Sequence, residues 1–120
     1  MNILLINPPF KNVLMAETPK FVNKNRGSNP PMGIISIATC INESTSHQTH
    51  VLDAQLLEMN YKDIENELNK IKPEVVGMAA FTFTIIDTLA MARVIKNINP
   101  KIKIVFGGPH ATLFPYETVT

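Results

Sequence analysis

The hydrophobic positions of this chain fall into short unbroken runs that alternate with longer stretches of helical spacing. Residues Asn2–Ile6 form an apolar run without alternation, ended by Asn7-Pro8-Pro9. A run of that length predicts a strand covered on both faces, as in a parallel sheet. Pro31-Met32-Gly33 opens the next segment, where Ile34, Ile37, Ala38 and Ile41 recur at helical spacing behind a first-turn proline. Thr49–Asp53 predicts a second strand. Asn60 and Asp63 form a variant capping box ahead of Ile64, Leu68 and Ile71 on one helical face, and Pro73 closes that helix. Glu74–Ala80 predicts a third strand whose small residues permit close packing above it. Thr84 and Asp87 repeat the capping pattern, with Ile86, Ala90, Val94 and Ile98 as the expected buried stripe of a third helix. Lys101–Phe106 predicts a fourth strand, ending in Gly107-Gly108-Pro109-His110.

Strands alternating with helices imply right-handed crossovers and a parallel sheet covered on both faces. The expected fold is therefore α/β, a flavodoxin-like (Rossmann-like) three-layer α/β/α domain over residues 1–120, with flavodoxin strand order preferred at this length. Two features depart from a complete unit. The connection from Asn7 to Pro31 far exceeds the roughly 2–6 residues usual in such folds. The chain also ends soon after Tyr116-Glu117, where a helix and a last strand are expected, so it reads as a domain excised from a longer protein.

Composition narrows the function. A hydrophobic fraction of 45% against 18% charged residues is that of a packed domain and excludes disorder. A net charge of +1 supplies no field toward nucleic acid or an acidic membrane, and the absence of Trp weakens any base-stacking role. The single Cys40 excludes an internal disulfide and a Cys-built metal site, and its place in a helical pattern predicts a small buried hydrophobe. No apolar run approaches the ~20 residues of a membrane span. Residues Met1–Ile6 lack the basic leader of a signal peptide, so a reducing, cytoplasmic compartment is expected.

In open parallel sheets ligands bind beyond the carboxyl ends of the strands, where strand order switches. The segments to inspect are Asn7–Phe10 with the long loop and Pro31–Gly33, then Phe81-Thr82-Phe83-Thr84, then Gly107–Thr112. Gly107-Gly108 lets backbone approach a ligand closely, or alternatively makes a plain tight turn. Thr82 and Thr84 offer hydroxyls near a helix start, although Thr84 also serves as a simple cap. His110 lies on the same side, as a ligand contact or an exposed turn residue. His47 and His50 lie apart and suit a surface better than a metal. Lys11, Lys20, Lys24 and Arg26 bias the long loop basic, which either solvation or a lid explains.

The absences discriminate too. There is no Gly-x-Gly-x-x-Gly after the first strand and no Gly-Lys-Ser/Thr phosphate loop. The acidic residues a phosphoacceptor needs after the first strand and at the end of the third are missing, where Asn7-Pro8 and Ala80-Phe81 stand instead, and Pro8-Pro9-Phe10 cannot supply the backbone donors of a flavin phosphate loop. No nucleophile–base pair has interpretable spacing, so no catalytic residue and no protein metal ligand is expected in this chain alone.

Four segments in order carry a resemblance. Ile3-Leu-Leu-Ile-Asn-Pro-Pro9, Pro31-Met-Gly-Ile34, Val75-Val-Gly77 with Thr82-x-Thr84, and Phe106-Gly-Gly-Pro-His-Ala-Thr112 together resemble the N-terminal cobalamin-binding domain of B12-dependent radical S-adenosylmethionine enzymes. The resemblance implies the flavodoxin-like fold and a cobalamin held between the strand ends and a neighbouring domain. It implies that Gly107 and Gly108 lie against the nucleotide tail, flanked by His110 and Thr112, with Thr82 and Thr84 bonding to it. Asn7, Pro8, Met32 and Gly33 would approach the corrin face, and Phe81 completes the expected cofactor-binding set. The Asp-x-His-x-x-Gly motif that ligates cobalt in other cobalamin proteins is absent; only Gly33 stands near the place of its final glycine. The resemblance thus implies a cobalt without a protein imidazole. It places the 4Fe-4S cluster, S-adenosylmethionine and the small-molecule substrate in a downstream radical domain, with methyl transfer as one outcome. The competing expectation is a non-catalytic flavodoxin-like sensor that binds a nucleotide or a protein.

Overall fold

The computed structural model describes residues 1–9 and 31–119. The long loop, with Phe10, Lys11, Lys20, Lys24 and Arg26, lies outside the described residues. Among these residues the strands are β1 (Asn2–Asn7), β2 (Gln48–Asp53), β3 (Val75–Ala79) and β4 (Lys103–Gly107). They form one sheet in the order β2-β1-β3-β4, and every pairing is parallel. The helices are α1 (Met32–Ser44), α2 (Tyr61–Ile71), α3 (Ile85–Ile98) and the short α4 (Pro109–Leu113) and α5 (Pro115–Val119). A 3-10 turn, Thr82–Thr84, precedes α3. This is the flavodoxin-like α/β arrangement the alternation implied. No helix among the described residues is long and apolar enough to cross a membrane.

β1 is central, and its unbroken apolar run follows from that position. Leu4 and Ile6 face one side, where they pack with Leu52, Ile64, Leu68, Val76, Met78, Met91 and Ile95 under α2 and α3. Ile3 and Leu5 face the other and pack with Ile34 and Ala38 of α1. β2 and β4 are edge strands; β2 buries only Leu52 along its length, and Val105 of β4 is exposed.

Local signals account for the helix ends. The Asn60–Asp63 capping box forms in full: Asn60 Oδ1 accepts the Asp63 amide at 2.8 Å and Asp63 Oδ2 accepts the Asn60 amide at 3.1 Å. α2 ends on Lys72 in the left-handed region, at φ 52°, with Pro73 next.

The structure corrects three expectations. The buried stripe of α3 is not Ile86, Ala90, Val94 and Ile98 but Asp87, Thr88, Met91 and Ile95, and Ile86 is exposed. Hydrophobicity misplaced the stripe because Asp87 and Thr88 are polar yet fully buried. The second capping box does not form either, since Thr84 makes no side-chain bond to the α3 amides. Asp87 instead takes a hydrogen bond from the Tyr61 hydroxyl of α2, and Thr88 Oγ1 donates to the Thr84 carbonyl at 2.9 Å. Cys40 is exposed rather than buried, as is Ile37. α1 meets the sheet along Ile34 and Ala38, and these two positions point elsewhere.

The Tyr61–Asp87 bond ties α2 to α3 within the core. Burial raises the Tyr61 pKa above its ordinary value of 10.0, and the Asp87 charge and hydrogen bond raise it further. Folded Tyr61 therefore keeps its proton where the unfolded chain has lost it. Stability is unaffected by this group below about pH 10 and falls as pH rises beyond that. Tyr61→Phe leaves a buried carboxylate short of a donor and is expected to cost about 1–3 kcal/mol at neutral pH. The alkaline loss should also shrink in that variant; urea midpoints at about pH 8 and about pH 11 measure both effects.

Candidate functional site

Because every strand runs parallel, Asn7, Asp53, Ala79 and Gly107 all end on one edge of the sheet. Strand order reverses beside β1, with β2 on one side and β3 on the other. A crevice outside that edge is the site the topology provides.

The β3 and β4 ends are joined through Ala80. Its amide donates to the Gly107 carbonyl at 2.7 Å, and its carbonyl accepts the His110 amide at 3.0 Å. Ala80 is fully buried, whereas Gly107 and Gly108 on the other side of the junction are exposed. Gly108 makes the turn possible, with φ at 91°, a region side chains rarely enter. A Cβ there would lie 2.9 Å from the Ala80 carbonyl oxygen. Above the turn, Thr82 Oγ1 and His110 Nδ1 are 3.0 Å apart in a hydrogen bond that spans the two strand ends. The His110 ring also leans on Phe114, with centroids 5.2 Å apart, and Phe81 stacks on Phe83 at 5.5 Å. Phe81, Phe83 and Phe114 all remain exposed, which leaves an apolar rim around the bonded turn.

The sequence-selected residues divide into distinct places. Thr82, Gly107, Gly108 and His110 form the joined turn. Thr84 sits beneath it, buried, with its hydroxyl donating to the Phe81 carbonyl at 3.3 Å. Thr112 Oγ1 donates to the Gly108 carbonyl at 2.9 Å and so braces the same turn. Among the described residues, a Cβ at Gly107 would meet nothing within 4 Å. Asn7 and the buried Pro8 lie at the β1 end. Met32 and Gly33 occupy the first turn of α1, both exposed, and among the described residues no hydrogen bond links them to the β3–β4 turn. His47 lies elsewhere, 3.0 Å from the Met1 amino group at the amino end of the sheet.

Sequence reasoning missed Asp53 and Gln55, the side chains that hold Asn7 at 2.9 and 3.3 Å. An acidic residue ending a short strand was the only available signal, and its relation to Asn7 needed the β1–β2 register. It also missed Ala80, whose role is carried by its peptide. A groove of about 650 Å³ between α3, β4 and α5, lined by Leu89, Arg93, Ile104 and Phe106 among others, contains none of the selected residues.

A doubly wound sheet with a glycine-built turn and an apolar rim at the β3–β4 ends, next to the switch point beside β1, has the architecture of α/β domains that bind ligands at the carboxyl edge of the sheet. Residues 20–120 match the family model described as the B12 binding domain, and the chain belongs to that family. It is 32% identical over 119 residues to an uncharacterized methyltransferase of Pyrococcus horikoshii, covering 99% of this chain and 24% of that protein. It is 27% identical over 93 residues to the anaerobic magnesium-protoporphyrin IX monomethyl ester cyclase of Rubrivivax gelatinosus, covering 78% of this chain and 17% of that protein. The chain thus spans a quarter or less of the length of these relatives. No solved structure matches it.

The two glycines separate fold from binding. Gly108→Ala should destabilise by about 1–3 kcal/mol, through positive φ and the clash with Ala80. Gly107→Ala meets no atom of the described residues within 4 Å and should leave the melting temperature within about 2 °C, while adding a methyl at the carboxyl edge of the sheet. Thermal melts of both variants, paired with corrinoid titration, check the division.

Proposed function

We propose that this chain holds cobalamin against the carboxyl edge of its sheet, for a radical S-adenosylmethionine domain of the longer protein to which it belongs. The B12 binding domain match over residues 20–120, which includes the whole Ala80–His110 turn, carries this reading. The residues present suit the group. A corrinoid is a broad, largely apolar plate fringed with amides, and its nucleotide tail is long and narrow. Exposed Phe81, Phe83 and Phe114 offer an apolar rim, and the open backbone at Gly107 admits close approach. Gly107, Gly108, His110, Thr112 and Thr82 would line the tail, with Thr84 buried beneath them and bonded to the Phe81 carbonyl, while Asn7, Pro8, Met32, Gly33 and Phe81 would face the corrin.

When bound, cobalamin supplies the alkyl-transfer or radical chemistry at cobalt. This chain's part is to bind, orient and shield. Methyl transfer is the favoured outcome, supported by the 32% identity to a protein named as a methyltransferase. S-adenosylmethionine, the 4Fe-4S cluster and the small-molecule substrate belong to the catalytic portion, and the protein works in the cytoplasm. A nucleotide-binding sensor is the weaker reading, because the β1 end carries two prolines in place of phosphate-binding amides.

Hydroxocobalamin mixed with the full-length protein should co-elute with it on gel filtration, with visible absorbance in the protein peak. A thermal-shift panel should show stabilisation by cobalamins and none by mono- or dinucleotides. Absence of co-elution, or stabilisation by nucleotides alone, overturns the proposal.

A further inference from the structure

Asn7 closes β1 beside the switch point, and its side chain is held from one side only. Nδ2 donates to Asp53 Oδ1 at 2.9 Å and to Gln55 Oε1 at 3.3 Å. An aspartate carboxylate accepts and cannot donate, so the Asn7 amide must turn its nitrogen toward Asp53 and its oxygen away. Asp53 is itself fixed, because Oδ1 also accepts the Leu56 amide at 3.1 Å. The register keeps the two residues paired, Asn7 directly opposite Asp53.

The backbone here is equally one-sided. The Asn7 carbonyl accepts the Ala54 amide at 3.1 Å, and Pro8 and Pro9 carry no N–H. Both Nδ2 hydrogens are engaged, and among the described residues no donor reaches Asn7 Oδ1. This end of the sheet therefore presents acceptors, backed by the negative charge of Asp53. Such a surface favours a hydrogen-bond donor and repels phosphate or carboxylate.

We infer that Asn7 is a specificity-determining residue whose Oδ1, aimed by Asp53 and Gln55, accepts a hydrogen bond from a side-chain amide of the corrinoid. The inference rests on the cobalamin reading above and adds to it which groups of the ligand are recognised, and by what. Asp53 acts through Asn7 and is a positioning residue.

The test compares two corrinoids titrated into the full-length protein: cobinamide, which keeps its amide N–H groups, and cobyrinic acid heptamethyl ester, which has none. The wild-type protein should bind cobinamide more tightly by about 3- to 10-fold or more, since one hydrogen bond contributes roughly that ratio. Asn7→Ala should lower the ratio about 3- to 10-fold, because one acceptor is gone. Asp53→Asn keeps size and shape but removes the obligate acceptor, so Asn7 can invert and the ratio should fall at least about threefold. A merely structural role would weaken both corrinoids equally and leave the ratio unchanged.

An unchanged ratio in folded Asn7→Ala or Asp53→Asn overturns the inference while leaving cobalamin binding intact. If a variant fails to fold, the wild-type protein alone still decides, since equal affinity for amide and ester corrinoids also overturns it. A wild-type protein that binds no corrinoid, hydroxocobalamin included, overturns both readings.

Discussion

Parallel pairing on both flanks of β1 is the constraint on which the rest of the molecule depends. It buries Leu4 and Ile6 completely and covers Ile3 and Leu5 from the opposite side, so one short strand serves two cores. It also gathers all strand ends onto one edge, because no parallel strand can end elsewhere. The helices must then cross back over the sheet faces, α1 on one and α2 with α3 on the other. In such a topology the edge outside the β1 and β3 ends is where ligands bind, whatever the particular ligand.

What occupies that edge is built mainly from backbone. The peptide of Ala80 bonds both ways across to β4, and Gly108 supplies the one dihedral that lets the chain do so. Thr82 and His110 then meet above the junction, and Thr112 braces it from within α4. The turn is thus pre-formed, which lowers the ordering cost of binding a ligand there. At the β1 end a different chemistry prevails, with acceptors and a carboxylate in place of amides. A ligand spanning both places would meet an exposed aromatic rim and approachable backbone at one and hydrogen-bond acceptors at the other.

The core contains one polar tie that hydrophobic patterning cannot register. Asp87 is fully buried and linked to Tyr61, so α2 and α3 are joined by a hydrogen bond as well as by Ile64, Met91 and Ile95. A buried carboxylate costs solvation unless satisfied, and the Tyr61 hydroxyl offsets part of that cost.

The chain's own residues determined the element order, the parallel sheet and the α2 capping box, because these depend on periodicity and on side chains three residues apart. They also marked Asn7, Thr82, Gly107, Gly108 and His110, whose residue types at strand ends carry meaning before any folding. Tertiary structure alone decided which face of α3 is buried, that Cys40 lies outside, and that Asn7 is gripped by Asp53 and Gln55. Each of these turns on a partner remote in sequence: Tyr61 for Asp87, the sheet for α1, the β1–β2 register for Asn7. Local pattern records what a residue prefers, whereas burial and hydrogen bonding are settled by what the fold brings opposite it.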